Sequence, residues 1–209
     1  MPAAAEHADM LGPLLLAALA GYLLGSLPTG YLVARSKGID IFAAGSKSSG
    51  ATNVRRVVGR GPGNLVFCLD VLKGAVAAGW PLFAGWGVLG YVGLGFALLG
   101  HSFSCFTRFR GGKGVATGAG GLVVLMPPVT LVAAAIWIAV FYASRFVSLA
   151  SIAAATSLPI FAYVFHRGDV AVWVATAVAV FVILRHRANV GRLINGTEKR
   201  FERRKEAKP

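Results

Sequence analysis

The chain has 209 residues, 56% of them hydrophobic and only 14% charged, and its mean hydropathy is +0.68. Soluble domains carry about 25% charged residues, so this composition excludes a soluble globular fold and is that of an integral membrane protein. The formal net charge of +13 does not mark a nucleic-acid-binding face, because the basic residues fall in short gaps between apolar stretches, as expected for contact with anionic lipid or phosphorylated molecules.

In chain order, the first apolar run covers residues 11–34. The residues before it include Glu6 and Asp9 and no Lys or Arg, and the run continues well past Ala18-Leu19-Ala20, which mimics a cleavage site. It therefore reads as an uncleaved first span and not as a signal peptide. Crossing the hydrocarbon core takes about 20 residues, and further spans are expected near 64–84, 87–103, 147–166 and 170–184. The uncharged segment from Val115 to Ser144 is too long for one upright helix, short for two, and interrupted by Pro127-Pro128.

Charge decides how that segment runs. Basic residues cluster in 35–60 (Arg35, Lys37, Lys47, Arg55, Arg56, Arg60), in 108–113 (Arg108, Arg110, Lys113), at Arg145, and from Arg185 to Lys208. The positive-inside tendency assigns these to the cytoplasm. One crossing by 115–144 would put Arg145 and the basic tail outside; a hairpin turning at Pro127-Pro128 keeps every cluster inside. The expectation is an all-α polytopic membrane protein with seven transmembrane helices, N-terminus outside and C-terminus cytoplasmic. Residues 1–198 would form a single membrane-embedded domain and 199–209 a basic cytoplasmic tail.

Two loops then stand out. "GSKSSGATNVRR", Gly45 to Arg56, resembles a nucleotide P-loop without its lysine, and "FRGGKGVATG", Phe109 to Gly118, has the lysine but Val115 where a metal-binding hydroxyl would follow. Neither is a nucleotide P-loop, yet glycines, hydroxyls, backbone amides and cationic side chains are the groups that cradle anions. Asp70 and Lys73, three apart on one helical face, read as an ion pair turned away from lipid. His101 at a span end reads as an interfacial histidine. Arg185, Asn189 and Arg192 fall at helical spacing with His186 beside Asn189, and Ser148 and Ser151 sit near a helix start as caps or substrate contacts. Cys68 and Cys105 have no metal spacing and read as packing residues. Paired carboxylates, HExxH, Cys/His ligand sets and Walker features are absent from the sequence, which argues against a hydrolytic metal centre and ATP hydrolysis.

Taken together, "GSLPTGYLVAR", "GSKSSGATNVRR", "DVLKG", "GHSFSCFTRFRGGKGVATG", "SLAS" and "RHRANVGRL" resemble, in order and spacing from about Gly25 to Glu198, the bacterial acyl-phosphate:glycerol-3-phosphate acyltransferase family. The resemblance implies seven transmembrane helices in the bacterial cytoplasmic (inner) membrane, with the active site on the cytoplasmic side. It implies transfer of a fatty acyl group from acyl phosphate to the sn-1 hydroxyl of glycerol 3-phosphate, giving lysophosphatidic acid and inorganic phosphate. Ser46, His186 and Asn189 are then the candidate catalytic residues. Gly50, Thr52, Asn53, Arg56, Gly111, Gly112, Lys113 and Ser151 are the candidate substrate contacts, while Asp70, Lys73 and His101 are structural candidates. No cofactor, metal, nucleic acid or obligatory protein partner is expected; the partners are the two phosphate substrates and membrane lipids. The sequence departs from the family where Lys47-Ser48 replaces the usual Gly-Asn. A small membrane transporter for organic phosphates is the alternative, although no internal repeat is visible.

Overall fold

The computed structural model describes residues 2–201, with side chains from Met10 onward. The side chains of Glu6 and Asp9, and the tail from 202 on, lie outside the described residues. Two compact units divide the chain, Met1–Thr130 and Leu131–Pro209.

In the first unit α1 (Pro2–Ser26) is followed, after a break at Leu27-Pro28, by α2 (Thr29–Arg35). Proline has no amide hydrogen to continue the ladder, and the break leaves the Leu27 carbonyl to accept from Lys73 Nζ at 3.0 Å. Then come α3 (Ala51–Val57), α4 (Arg60–Phe83), α5 (Leu89–Ser102), a 3-10 turn at Cys105–Thr107, and α6 (Val115–Leu125). α1 packs along α5, and α4 lies against α3, α5 and α6. These approaches are close: a Cβ on Gly25 would overlap the Ala97 backbone, and one on Gly74 the Thr117 backbone. Such small-residue contacts let helices associate where lipid supplies no hydrophobic drive between them. A separate apolar cluster of Ala34, Ile41, Phe42, Val54 and Val66 anchors the loop between α2 and α3.

α7 (Pro127–Ser144) begins at the proline pair after a break at Met126, and α8 (Val147–Val164), α9 (Asp169–Arg185) and α10 (Arg187–Ile194) complete the second unit, with α8 beside α9 and α10 touching both. Five helical segments are long and apolar enough to cross a membrane, or six if α9 and α10, bent by 60° to each other, count as one. α6 has 11 residues, about 16 Å of helix, or half the hydrocarbon thickness. Large apolar side chains such as Leu15, Leu19, Leu131, Ile138 and Trp173 are exposed, as lipid-solvated helices require.

Two expectations change. Cys68 and Cys105 are exposed rather than packed; Cys68 follows the exposed Phe67 on α4. The bend at His186 ends the helical register assumed from Arg185 to Arg192, so Arg185 belongs to α9 while Asn189 and Arg192 belong to α10.

Candidate active site

The loop preceding α3 is shaped by Asn53, which is 2% exposed. Its Oδ1 accepts from the Ser46 N–H at 2.8 Å, and its Nδ2 donates to the carbonyls of Ala44 (3.1 Å) and Ser48 (2.9 Å). Gly45 turns at φ 60, and a Cβ there would overlap Asn53 Oδ1. The Asn53 amide thus holds the loop backbone in place: this residue builds the cradle. Lys47 sits at φ 55, a left-handed conformation that costs a side-chain-bearing residue about 1–2 kcal/mol and glycine nothing comparable. Ser46 is exposed, Gly50 and Thr52 are half-buried, and Arg56 is exposed on the last turn of α3.

The glycine loop meets this cradle within the same unit. Ser48 Oγ donates to the Gly111 carbonyl at 3.4 Å, and a side chain on Gly50 would meet Gly112 Cα at 3.9 Å. Gly111 and Lys113 are half-buried, and Gly112 is buried. A narrow cleft beside the two loops is lined by Thr29, Ser49, Lys73, His101, Arg110 and Gly111, among others. Asp70 lies behind it, 1% exposed, its Oδ1 accepting from Thr29 Oγ1 at 2.8 Å and lying 2.9 Å from Lys73 Nζ. Arg110 donates through Nη2 to the Phe42 carbonyl at 3.1 Å and stacks on the Phe42 ring. Sequence reasoning passed over Thr29, Ser49 and Arg110, since nothing in their spacing joins them before the chain folds.

The second unit holds a different polar cluster. His186, 3% exposed, caps α9, and its Nδ1 lies 2.8 Å from the Val182 carbonyl. A carbonyl only accepts, so Nδ1 carries a proton. Asn189 Nδ2 and Ser148 Oγ both donate to Glu198 Oε1 at 2.7 Å, and Arg192 Nε donates to Glu198 Oε2 at 2.7 Å. Burial raises the carboxyl's pKa, but the donors Asn189, Ser148 and Arg192 and the guanidinium charge outweigh it and hold Glu198 below its ordinary range. Glu198 is the residue the sequence reading missed: it lies 50 residues from Ser148, and only the HRAN segment carried a motif. The Ser151 hydroxyl donates to the Val147 carbonyl at 2.8 Å and accepts from Trp137 Nε1 at 3.1 Å, tying α7 to α8. Neither Ser148 nor Ser151 caps α8, whose N-cap is Phe146.

Residues 15–196 match the model of the family described as glycerol-3-phosphate acyltransferase. The chain belongs to this family. Among curated relatives, the glycerol-3-phosphate acyltransferase of Fusobacterium nucleatum is 44% identical over 87% of this chain and 94% of its own length. That of Geobacter sulfurreducens is 42% identical over 92% of this chain and 100% of its own. The fold is similar to the crystal structure of PlsY, an integral membrane glycerol 3-phosphate acyltransferase, in its glycerol 3-phosphate form. The TM-score is 0.87 at 37% identity, covering 91% of this chain and 96% of that one. The lysophosphatidic acid form of the same enzyme aligns with a TM-score of 0.84. Both cradle loops, the buried Asp70–Lys73 pair and the Glu198 cluster of this acyltransferase fall outside the first 14 residues and, Glu198 apart, within the matched span.

Proposed function

We propose that the protein transfers a fatty acyl group from acyl phosphate to the sn-1 hydroxyl of glycerol 3-phosphate, at the cytoplasmic face of a bacterial inner membrane. The observation that carries this reading is the meeting of two glycine-bearing, cationic loops, through Ser48 and Gly111 and through Gly50 and Gly112. Backbone amides, hydroxyls, Arg56 and Lys113 on such loops are groups that hold a phosphate without nucleotide machinery. In the reaction the glycerol oxygen attacks the acyl carbon, the bond from that carbon to the phosphate oxygen breaks, and the phosphate leaves with the electron pair. A mixed anhydride is already activated, so the protein's tasks are to orient the hydroxyl, stabilise the developing oxyanion and hold the leaving phosphate. Ser46 is assigned to the donor. His186 and Asn189 are assigned to the acceptor glycerol, with the departing phosphate taking the hydroxyl proton. The contact of Nδ1 with the Val182 carbonyl fixes the ring at the end of α9, as a positioning role requires.

The same reading has seven membrane-crossing or half-crossing helices, the N-terminus outside and the loops at 38–60 and 105–113 in the cytoplasm, within a catalytic domain of residues 1–198. Purified protein given palmitoyl phosphate and glycerol 3-phosphate is expected to release inorganic phosphate and lysophosphatidic acid in equal amounts, with palmitoyl-CoA compared as donor. Product from the thioester alone overturns the donor assignment. Single cysteines in those loops, after replacement of Cys68 and Cys105, are expected to resist an impermeant reagent in intact cells.

A further inference from the structure

The histidine at the end of α5 shares the buried aspartate of α4 with Lys73. Asp70 Oδ1 already meets Lys73 Nζ at 2.9 Å and Thr29 Oγ1 at 2.8 Å, and Lys73 is held in turn by the Leu27 carbonyl. His101 nonetheless turns Nδ1 toward the same oxygen at 3.5 Å, and Nδ1 makes no hydrogen bond among the described residues. The Nδ1 side of the ring is thus turned to Asp70, and its other edge has contacts of its own.

That edge lies against the glycine loop. A Cβ on Gly112 would overlap His101 Nε2 and stand 2.8 Å from Cε1 and 3.1 Å from Cδ2. The Gly112 N–H donates to the His101 carbonyl at 3.1 Å, and a Cβ on Gly111 would overlap that carbonyl oxygen. The loop therefore rests on His101 twice, by backbone and by ring, and Lys113 is the next residue along. We propose that His101 is the seat of the glycine loop, a positioning residue whose ring sets the height of Lys113 and the loop amides, with Asp70 fixing the ring from within α4. This rests on the reading that the loop holds a substrate phosphate.

The geometry separates ring from backbone. The three atoms nearest a Cβ on Gly112 all belong to the imidazole, whereas those nearest a Cβ on Gly111 are backbone that no side-chain change removes. Gly112 is not at positive φ, so its backbone accommodates alanine. Displacement of a binding loop by about 1 Å is enough to lose on the order of a hundredfold in turnover efficiency. Gly112→Ala is expected to lower kcat/KM at least tenfold, mainly by raising the KM of a phosphate substrate. In His101→Ala, which itself raises that KM while kcat stays within about threefold, adding Gly112→Ala is expected to cost less than twofold more. Gly111→Ala is expected to cost the same factor in both backgrounds. Asp70→Asn is expected to raise the same KM, less than His101→Ala does. If His101→Ala does not assemble, His101→Gln replaces it, since a flexible amide yields to the new methyl and the same loss of coupling is expected. Equal losses from Gly112→Ala with and without the ring, or unchanged KM values in His101→Ala, overturn the proposal. A wild-type protein without acyl transfer refutes the function instead. The cycle is then read by thermal melting, where the same non-additivity between Gly112 and His101 is expected and additivity overturns the seat.

Discussion

Replacing Glu198 by glutamine keeps the shape of the second unit's polar cluster and removes only its charge. Oε1 accepts from Ser148 and Asn189 and Oε2 from Arg192, each at 2.7 Å, and the Glu198 side chain is 5% exposed. A glutamine with its NH2 at the Oε2 position opposes the Arg192 Nε–H. With the NH2 at the Oε1 position it requires the Ser148 hydroxyl to turn and the Asn189 amide to flip, and in both orientations it loses the charge. A hydrogen bond to a charged group contributes about 1.5–3 kcal/mol. The Arg192 side chain is 41% exposed, which screens its share and moves the figure to the lower end. Glu198→Gln is thus expected to destabilise by about 2 kcal/mol, and Glu198→Ala, which abandons all three donors, by about 3–4 kcal/mol. For a chain of this size that is roughly 4–8 °C in melting temperature for the glutamine variant, measured on detergent-purified protein by tryptophan fluorescence. The pH dependence has a definite sign. The folded carboxyl titrates below its ordinary value of 4.5, so its stabilisation is present above that value and lost as pH falls through the lower folded one. Wild-type protein should therefore lose melting temperature more steeply than Glu198→Gln as the pH drops below 4.5. A glutamine variant that melts with the wild type at neutral pH refutes the reasoning.

The remaining expectations concern the loops and His186. Lys113→Ala and Arg56→Ala should each cut activity by orders of magnitude while the protein still purifies, since about 1.4 kcal/mol is tenfold and a desolvated charged contact is worth several kcal/mol; near-normal turnover of Lys113→Ala at low substrate would count against the cradle. Asn53→Ala should lower melting temperature and activity together, by about 2–3 kcal/mol in stability for buried loop carbonyls left unpaired, whereas a pure substrate contact would leave the melting temperature in place. Lys47→Gly, relieving a backbone at φ 55, should raise stability by about 0.5–1 kcal/mol after glycine's extra unfolded-state entropy is subtracted, and a lower melting temperature would contradict it. His186→Gln and His186→Asn should retain more activity than His186→Ala; if all three are equally inactive while glycerol 3-phosphate binds normally, His186 is the base.

Several features were legible before any fold was known. Uninterrupted apolar runs have to be helical in lipid, because every backbone amide and carbonyl must be paired within its own segment. The breaks follow from local chemistry: Pro28 and Pro127 cannot continue a ladder, and the glycines at 45, 111, 112 and 114 permit turns that side chains obstruct. The anion-cradle character of both loops was visible for the same reason, since it resides in the residue types themselves. Direction was not visible. A lipid-embedded helix is apolar on both its packed and its exposed faces, so no polar–apolar periodicity marks which side turns inward. For that reason Cys68 proved to be exposed. Nor could the spacing show that His101 would rest between Asp70 and Gly112, or that Glu198 would gather Ser148, Asn189 and Arg192. Those contacts join residues far apart in the chain, and they exist only because helix packing brings otherwise unrelated positions within a hydrogen bond's length in a medium that leaves buried polar groups no water to turn to.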